Sequence, residues 1–101
     1  MRQSRFLMVG GLVALGFDTS SRFLLVISHA GRGVYATGTW ERVARDATVI
    51  YPNGDRVRGI GPIAGQDIAV VARDDAHERI ELRSPDGQFF VIGEADGVTI
   101  T

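Results

Sequence analysis

Apolar residues follow one another without interruption in three short segments, which are Phe23–Ile27, Ile68–Ala72 and Phe89–Ile92. A strand with one face in water alternates apolar and polar residues, whereas an uninterrupted apolar strand requires cover on both faces. The segment Arg79–Arg83 does alternate, which is typical of a strand with one wet face. We therefore expect three strands that are covered on both faces, or that have one face in the core and the other in an interface, beside at least one half-exposed strand.

Strands are predicted along most of the chain, because thirteen glycines interrupt almost every window long enough for a helix. The segment Thr39–Ala47 is a candidate helix, but its alternation favours a strand equally. Asn53-Gly54 and Ser84–Gly87 have the residues of tight turns. The predicted strands are Arg22–His29, Gly33–Thr37, Thr48–Tyr51, Arg56–Ile60, Ile68–Arg73, Arg79–Arg83, Gln88–Glu94 and Val98–Thr101. With the N-terminal segment they make an antiparallel meander of about 8 to 10 short strands.

The N-terminal segment is apolar from Phe6 to Phe17 and follows Arg2 and Arg5. It is too short to cross a membrane as a helix, which takes about 20 residues. We expect strands interrupted at Gly10-Gly11 and a cytoplasmic protein. Export is the alternative, if residues 1–16 act as a short signal peptide.

An internal repeat is visible in residues 20–34 and 85–98, which both contain a turn, four apolar residues, a linker and a Gly-Val pair. The apolar quartets, Leu24–Ile27 and Phe89–Ile92, lie 65 residues apart. Such a repeat predicts two similar meanders, at residues 12–46 and 79–101. The second copy ends one strand early and leaves a sheet edge that something must cover, and a partner is expected there first.

The two copies resemble the blade repeats of β-propellers of the WD40 and quinoprotein type. The resemblance covers about half of the chain and rests on Ser84–Gly87 with Phe89–Ile92, and on Ser20–Ile27 with Gly33–Tyr35. No Asp follows Trp40, and a propeller needs at least four blades where this chain has residues for about two. The predicted fold is therefore all-β, a closed barrel or sandwich built from the two meanders. The alternative is a set of blade-like sheets that assemble as an oligomer.

Composition narrows the functional classes. A chain of 101 residues corresponds to one domain. The absence of cysteine excludes disulfides and thiolate metal sites. Eleven arginines, no lysine and twelve acidic residues are mixed along the chain with a net charge of −1, which disfavours nucleic acid as a partner. The apolar content of 45% is high for a small soluble monomer, and we expect a protein partner or self-association, with no membrane contact.

Catalytic and metal-binding patterns are weak. The cluster Asp74, Asp75, His77 and Glu78 has oxygen and imidazole ligands, but its spacing matches no metal loop, and a solvated hairpin loop is the favoured interpretation. Ser28 and His29 are adjacent in a strand, so their side chains point to opposite faces and cannot form a catalytic pair. We therefore predict no enzyme activity, no metal and no cofactor.

The predicted binding residues are aromatic rings and arginines, joined by one Gly- and Pro-rich loop. They are Tyr35, Trp40, Arg42, Tyr51, Arg56 and Arg58, with Ile60, Pro62 and Ile63 from the loop Gly59–Gly65. Aromatic and arginine side chains are enriched at interface hot spots, although Trp40 and the loop could equally belong to the core. The predicted function is a non-catalytic protein–protein interaction or accessory module, of a size that suits a small bacterial protein. A small-ligand or carbohydrate-binding domain, with its mouth lined by Tyr35, Trp40 and Tyr51, is the alternative.

Overall fold

The computed structural model describes residues 4–52 and 55–101. These residues form short antiparallel strands and one turn of 3-10 helix at Gly61–Ile63. The all-β prediction is confirmed. The strands of the described chain are β1 (Arg5–Met8), β2 (Leu12–Phe17), β3 (Phe23–Ser28), β4 (Gly31–Ala36), β5 (Arg42–Asp46), β6 (Arg56–Arg58), β7 (Asp67–Ala69), β8 (Val71–Ala72), β9 (Ile80–Arg83), β10 (Phe90–Glu94) and β11 (Gly97–Ile100). Within these residues no helix has the length and apolar character needed to cross a membrane.

The strands form three sheets stacked in layers. Sheet A has the order β1-β11-β10-β9, sheet B the order β5-β4-β3-β2-β8, and sheet C consists of β6 and β7. One core cluster lies between sheets A and B, and a second lies between sheets B and C. No sheet closes into a barrel over the residues that the structure describes, so the sandwich form of the prediction is the one observed.

Sheet B is the middle layer, which explains the uninterrupted apolar segment Phe23–Ile27. The segments Ile68–Ala72 and Phe89–Ile92 are not buried on both faces, because each has one face that is exposed or half-buried. In β3, Leu24 and Val26 pack towards sheet A, whereas Leu25 and Ile27 pack towards sheet C. Adjacent residues of a strand point to opposite faces, so a strand covered twice must be apolar at every position. The strand predicted at Phe23–Ile27 is confirmed with cover on both faces.

Both predicted meanders are present. The first consists of β2, β3, β4 and β5 in sequence order, and the second of β9, β10 and β11. β1 pairs with β11, with Arg5 opposite Ile100 and Met8 opposite Gly97. The N-terminal strand thus covers the edge that the C-terminal meander leaves open, and it supplies the fourth strand of sheet A.

The hairpin turns of the two meanders make the same hydrogen bonds. The Asp18 amide donates to the Phe23 carbonyl at 3.1 Å, and the Ser84 amide donates to the Phe89 carbonyl at 2.9 Å. In return, the Phe23 amide donates to the Asp18 carboxylate and the Phe89 amide to the Ser84 hydroxyl. The turns also touch, because the Asp86 amide donates to the Ser21 hydroxyl at 2.9 Å. The two meanders are therefore equivalent in backbone at a separation of 66 residues.

This separation is one residue longer than the 65 residues between the apolar quartets. A shift of one residue exchanges the two faces of a strand. In backbone terms Phe90 and Ile92 of β10 therefore correspond to Leu24 and Val26 of β3. In sheet B, the face with Leu24 and Val26 is covered by sheet A. The equivalent face of sheet A is the one with Phe90 and Ile92.

Two predicted strands differ from the structure, and one open alternative is decided. Residues 47–52 form no strand, and β6 pairs with β7 instead; the strand predicted at Thr48–Tyr51 is wrong. The strand predicted at Ile68–Arg73 divides at Val70, where the chain passes from sheet C to sheet B. The segment Thr39–Ala47 contains β5 and no helix. The turn predicted at Asn53-Gly54 lies outside the described residues.

Candidate functional site

A cleft of about 500 Å³ opens between sheets A and B at their outer strands. One wall is the end of β1 and the residues after it, Met8 to Gly10. The other wall is formed by β4 and β5, with Tyr35, Arg42 and Arg45. We call this space the arginine cleft. It is larger than a second cleft, of about 280 Å³, that lies beside Trp40.

A β-bulge brings the two arginines of β5 to the same face. Tyr35 pairs with Arg42 but Val34 pairs with Ala44, so an extra residue stands opposite this part of β4. Two residues three positions apart lie on opposite faces of a regular strand, and the bulge reverses that relation. Arg42 and Arg45 therefore both project from the face of sheet B that is turned towards sheet A.

The third arginine of the cleft is already paired. Arg32 Nη2 lies 2.5 Å from Asp46 Oδ2, and Arg32 Nε donates to Asp46 Oδ1 at 3.1 Å. Arg32 Nη1 also donates to the Arg58 carbonyl in sheet C at 3.0 Å. The hydrogen bond from the Arg32 guanidinium holds the pKa of the Asp46 carboxyl below its ordinary value. This pair ties β4 to β5 and to sheet C, and it leaves no net charge of its own in the cleft.

Arg42 and Arg45 are exposed, and their side chains make no hydrogen bond or ion pair within residues 4–52 and 55–101. The Tyr35 hydroxyl also has no partner in this part of the chain. The cleft thus carries two uncompensated positive charges beside a phenol, which is an arrangement that attracts anions.

The Arg32–Asp46 pair makes the stability of the protein depend on acid pH. The folded-state pKa of Asp46 lies below its ordinary value of 3.8, so the folded chain takes up this proton less readily than the unfolded chain. The pair therefore stabilises the fold fully above the unfolded pKa, and its contribution is lost as the pH falls through the folded-state pKa. The free energy of unfolding of the wild-type protein should fall between about pH 6 and about pH 3, and we expect it to fall less in Asp46→Asn. Urea denaturation at each pH measures this difference.

A double-mutant cycle is the control for this prediction. Arg32→Met should reduce the acid-dependent loss as Asp46→Asn does, and the double variant should reduce it no further. Additive effects of the two substitutions would contradict the assignment of the acid sensitivity to this pair.

Trp40 belongs to the core between sheets A and B. Its ring is 8% exposed and meets the ring of Phe89 edge-on, with centroids 5.2 Å apart and planes at 86°. A second cleft of about 280 Å³ lies beside it and includes Arg5, Gly38 and Thr101. The indole therefore contributes mainly packing, with one edge at this smaller cleft.

The three aromatic rings predicted to line one mouth lie apart. Tyr35 faces the arginine cleft, and Trp40 lies at the second cleft. Tyr51 is exposed, with its hydroxyl 2.7 Å from His29 Nδ1 and its ring 5.6 Å from the His29 ring. Neither cleft includes more than one of the three rings.

The remaining predicted binding residues lie on or near sheet C. Arg56 and Arg58 are exposed on β6, and Arg58 donates to the Gly65 carbonyl at 2.9 Å. In the loop between β6 and β7, the side chain of Ile63 is fully buried and that of Ile60 is half-buried against the second core cluster, whereas Pro62 is exposed. Ile60 and Ile63 therefore attach the loop to the core, whereas Gly61, Pro62, Ala64 and Gly65 are exposed.

The acidic cluster after β8 folds upon itself. Asp74 Oδ1 accepts hydrogen bonds from the amides of Ala76 at 2.9 Å and His77 at 2.6 Å, and the first cause of its lowered pKa is the bond from His77. Over the described ranges no three His, Cys, Asp or Glu side chains are arranged to hold a metal ion. The carboxylate closes its own loop, as the solvated-loop interpretation expects.

Sequence reasoning selected Tyr35 and Arg42, but it left Arg45, Gly33 and Met8 out of the predicted set. Arg42 and Arg45 are three positions apart, and a regular strand would place them on opposite faces. No feature of the local sequence predicts the bulge that places them on the same face. Met8 reaches the site because β1 pairs with a strand from the other end of the chain. The cleft could be found only once the long-range pairing was known.

Comparison with known proteins adds no relative to this description. Neither the protein-family models, nor the curated proteins, nor the solved structures contain a match to this chain. Its function is therefore argued from its own surfaces.

Proposed function

We propose that this protein is a non-catalytic protein-interaction module that binds a protein partner through the outer face of sheet A, beside its edge strand β1. Four apolar side chains define this surface, which we call the β1 face: Phe6, Met8, Phe90 and Ile92. The observation that carries the proposal is the exposure of large apolar groups there, with Phe6 51% and Met8 85% exposed.

The internal repeat supports this choice of surface. Phe90 and Ile92 are only half-buried, whereas their backbone equivalents Leu24 and Val26 are 0% and 3% exposed under sheet A. The same face is thus covered in one meander and open in the other. Exposed apolar patches of this kind are typical of interaction sites.

The arrangement of the β1 face suits a protein partner. Phe6 and Ile92 flank Thr99 in one cross-strand row, so their side chains lie on the same face, two strands apart. Charged Glu81, Arg83 and Glu94 border the apolar residues, as a polar rim borders an interface core. β1 is the edge of sheet A, and a partner strand can add to such an edge.

The test compares proteins that co-purify with tagged variants expressed in the native host. We expect wild-type protein to retain one stoichiometric partner, or to self-associate in light scattering, and Phe6→Glu to lose that association. A charge placed in the centre of an apolar interface costs binding because it must be desolvated without a partner. Val49→Glu is the matched control, because Val49 is 46% exposed and lies in the segment between β5 and β6, outside sheet A.

Two results would contradict the proposal. One is a Phe6→Glu variant that keeps the partner as well as wild type does. The other is a wild-type protein that is monomeric and retains no protein. The melting temperature of each variant shows whether a loss of binding follows from unfolding.

A further inference from the structure

We propose that the arginine cleft is a binding site for a small organic anion, in which an oxyanion group meets Arg42 and Arg45 and an apolar body lies between the two sheets. This site differs from the β1 face in its chemistry and shares only Met8 with it, and the inference does not require the protein partner proposed above.

The unpaired polar side chains of the cleft are mainly hydrogen-bond donors. The guanidinium groups of Arg42 and Arg45 have no acceptor capacity, and the Tyr35 hydroxyl adds a third donor that can also accept one bond. The acceptors nearby are engaged: Asp46 by Arg32, and the Ser28 hydroxyl by the Ala30 amide at 3.2 Å. A ligand must therefore bring acceptors, and an ionised carboxylate or phosphate is a group of that kind.

Apolar side chains form one part of the cleft, beside the polar groups named above. Val9 and Val26 line it from the core between sheets A and B, and Met8 lines it from β1. Gly33 lies opposite Arg45, and its missing side chain leaves room beside the Arg42 stem and the Tyr35 ring. A volume of about 500 Å³ falls in the range of small-molecule sites. The walls therefore favour an anion with an apolar body over a bare inorganic ion.

The arginines stand on a rigid support. The Arg32–Asp46 pair joins β4 to β5, and Arg32 also binds the Arg58 carbonyl in sheet C. The bulge fixes the backbone of Arg42 and Arg45 so that both side chains leave from one face. Only their side-chain rotamers must then be ordered when a ligand binds, which limits the conformational freedom lost on association.

The test is a titration of ¹⁵N-labelled protein followed by amide chemical shifts. The probes are benzoate, phenyl phosphate, inorganic phosphate and the neutral benzyl alcohol. We expect saturable shifts at the Gly33 and Arg45 amides with benzoate or phenyl phosphate, and weaker effects with inorganic phosphate and benzyl alcohol. The tighter of the two aromatic anions identifies the oxyanion as carboxylate or phosphate.

Three variants locate the site. Arg42→Ala and Arg45→Ala should each weaken the better probe about 10- to 100-fold, the usual effect of removing a charged hydrogen-bond partner. Arg56→Ala removes an exposed arginine from sheet C and should leave the affinity unchanged. Gly33→Val retains every charge and fills the space beside Tyr35, so it should also weaken benzoate binding.

The proposal is overturned if neither aromatic anion gives saturable shifts, or if inorganic phosphate binds as tightly as phenyl phosphate. It is equally overturned if Arg56→Ala weakens binding as much as Arg42→Ala. Phe6→Glu should bind the probes as wild type does, so failure of the β1 face and failure of the cleft are distinguishable.

Discussion

Leu24→Ala is expected to lower the free energy of unfolding by about 2–5 kcal/mol. Leu24 is fully buried in β3, and its side chain packs in the cluster between sheets A and B. Truncation removes apolar contacts and leaves a cavity that the two sheets cannot close, because β3 is held between β2 and β4. A domain of this size has roughly 5–15 kcal/mol of stability, so the loss is a large fraction of the total.

Urea denaturation followed by circular dichroism measures this effect. Val43→Ala is the control: Val43 is an exposed apolar residue of the same sheet, and its truncation should change stability by about 0.5 kcal/mol or less. Equal effects of the two substitutions would show that sheet A does not cover this face of sheet B in solution.

Gly31→Ala is expected to destabilise the protein by about 2–6 kcal/mol, from two separate causes. Gly31 begins β4 with a φ of 135°, which side chains of L-residues rarely adopt. A Cβ there would also stand 2.2 Å from the Asp46 carbonyl oxygen on the neighbouring strand. The backbone and the packing should each contribute about 1–3 kcal/mol.

Gly38→Ala separates the two causes. Gly38 also has a positive φ, of 92°, but an added Cβ would meet no atom within 4 Å. Gly38→Ala should therefore lower the free energy of unfolding through backbone strain alone, by about 1–3 kcal/mol. If both alanine variants unfold at the same urea concentration, the close approach of β5 to Gly31 is not present in solution.

The pattern of apolar residues was sufficient to predict the middle layer. The run Phe23–Ile27 required cover on both faces, and the repeat predicted four strands over residues 12–46; both predictions are confirmed. The division at Val70 could not be predicted, because an unbroken apolar segment has no mark where it leaves one sheet for another. Local periodicity describes which faces are buried, and it does not identify the sheet that buries them.

The candidate sites show the same limit. Arg42 was selected for its aromatic neighbours, but its alignment with Arg45 depends on one extra residue opposite Tyr35. Trp40 was selected for its residue type, which suits a core as well as a surface. The β1 face was not predicted, since it depends on the pairing of Phe6 with Thr99 across almost the whole chain.

That pairing has a consequence during synthesis. β1 leaves the ribosome before the other described strands, and its partner β11 follows about 90 residues later. At about 5–20 residues per second, β1 has no partner strand for about 5–20 s, with Phe6, Leu7 and Met8 unprotected. Sheet B can form in that interval, because all but one of its strands come from residues 12–46. The nascent chain therefore passes through a state in which sheet B is complete and β1 is still unpaired. We expect chaperones to act on this state, because the apolar side chains of β1 are exposed in it.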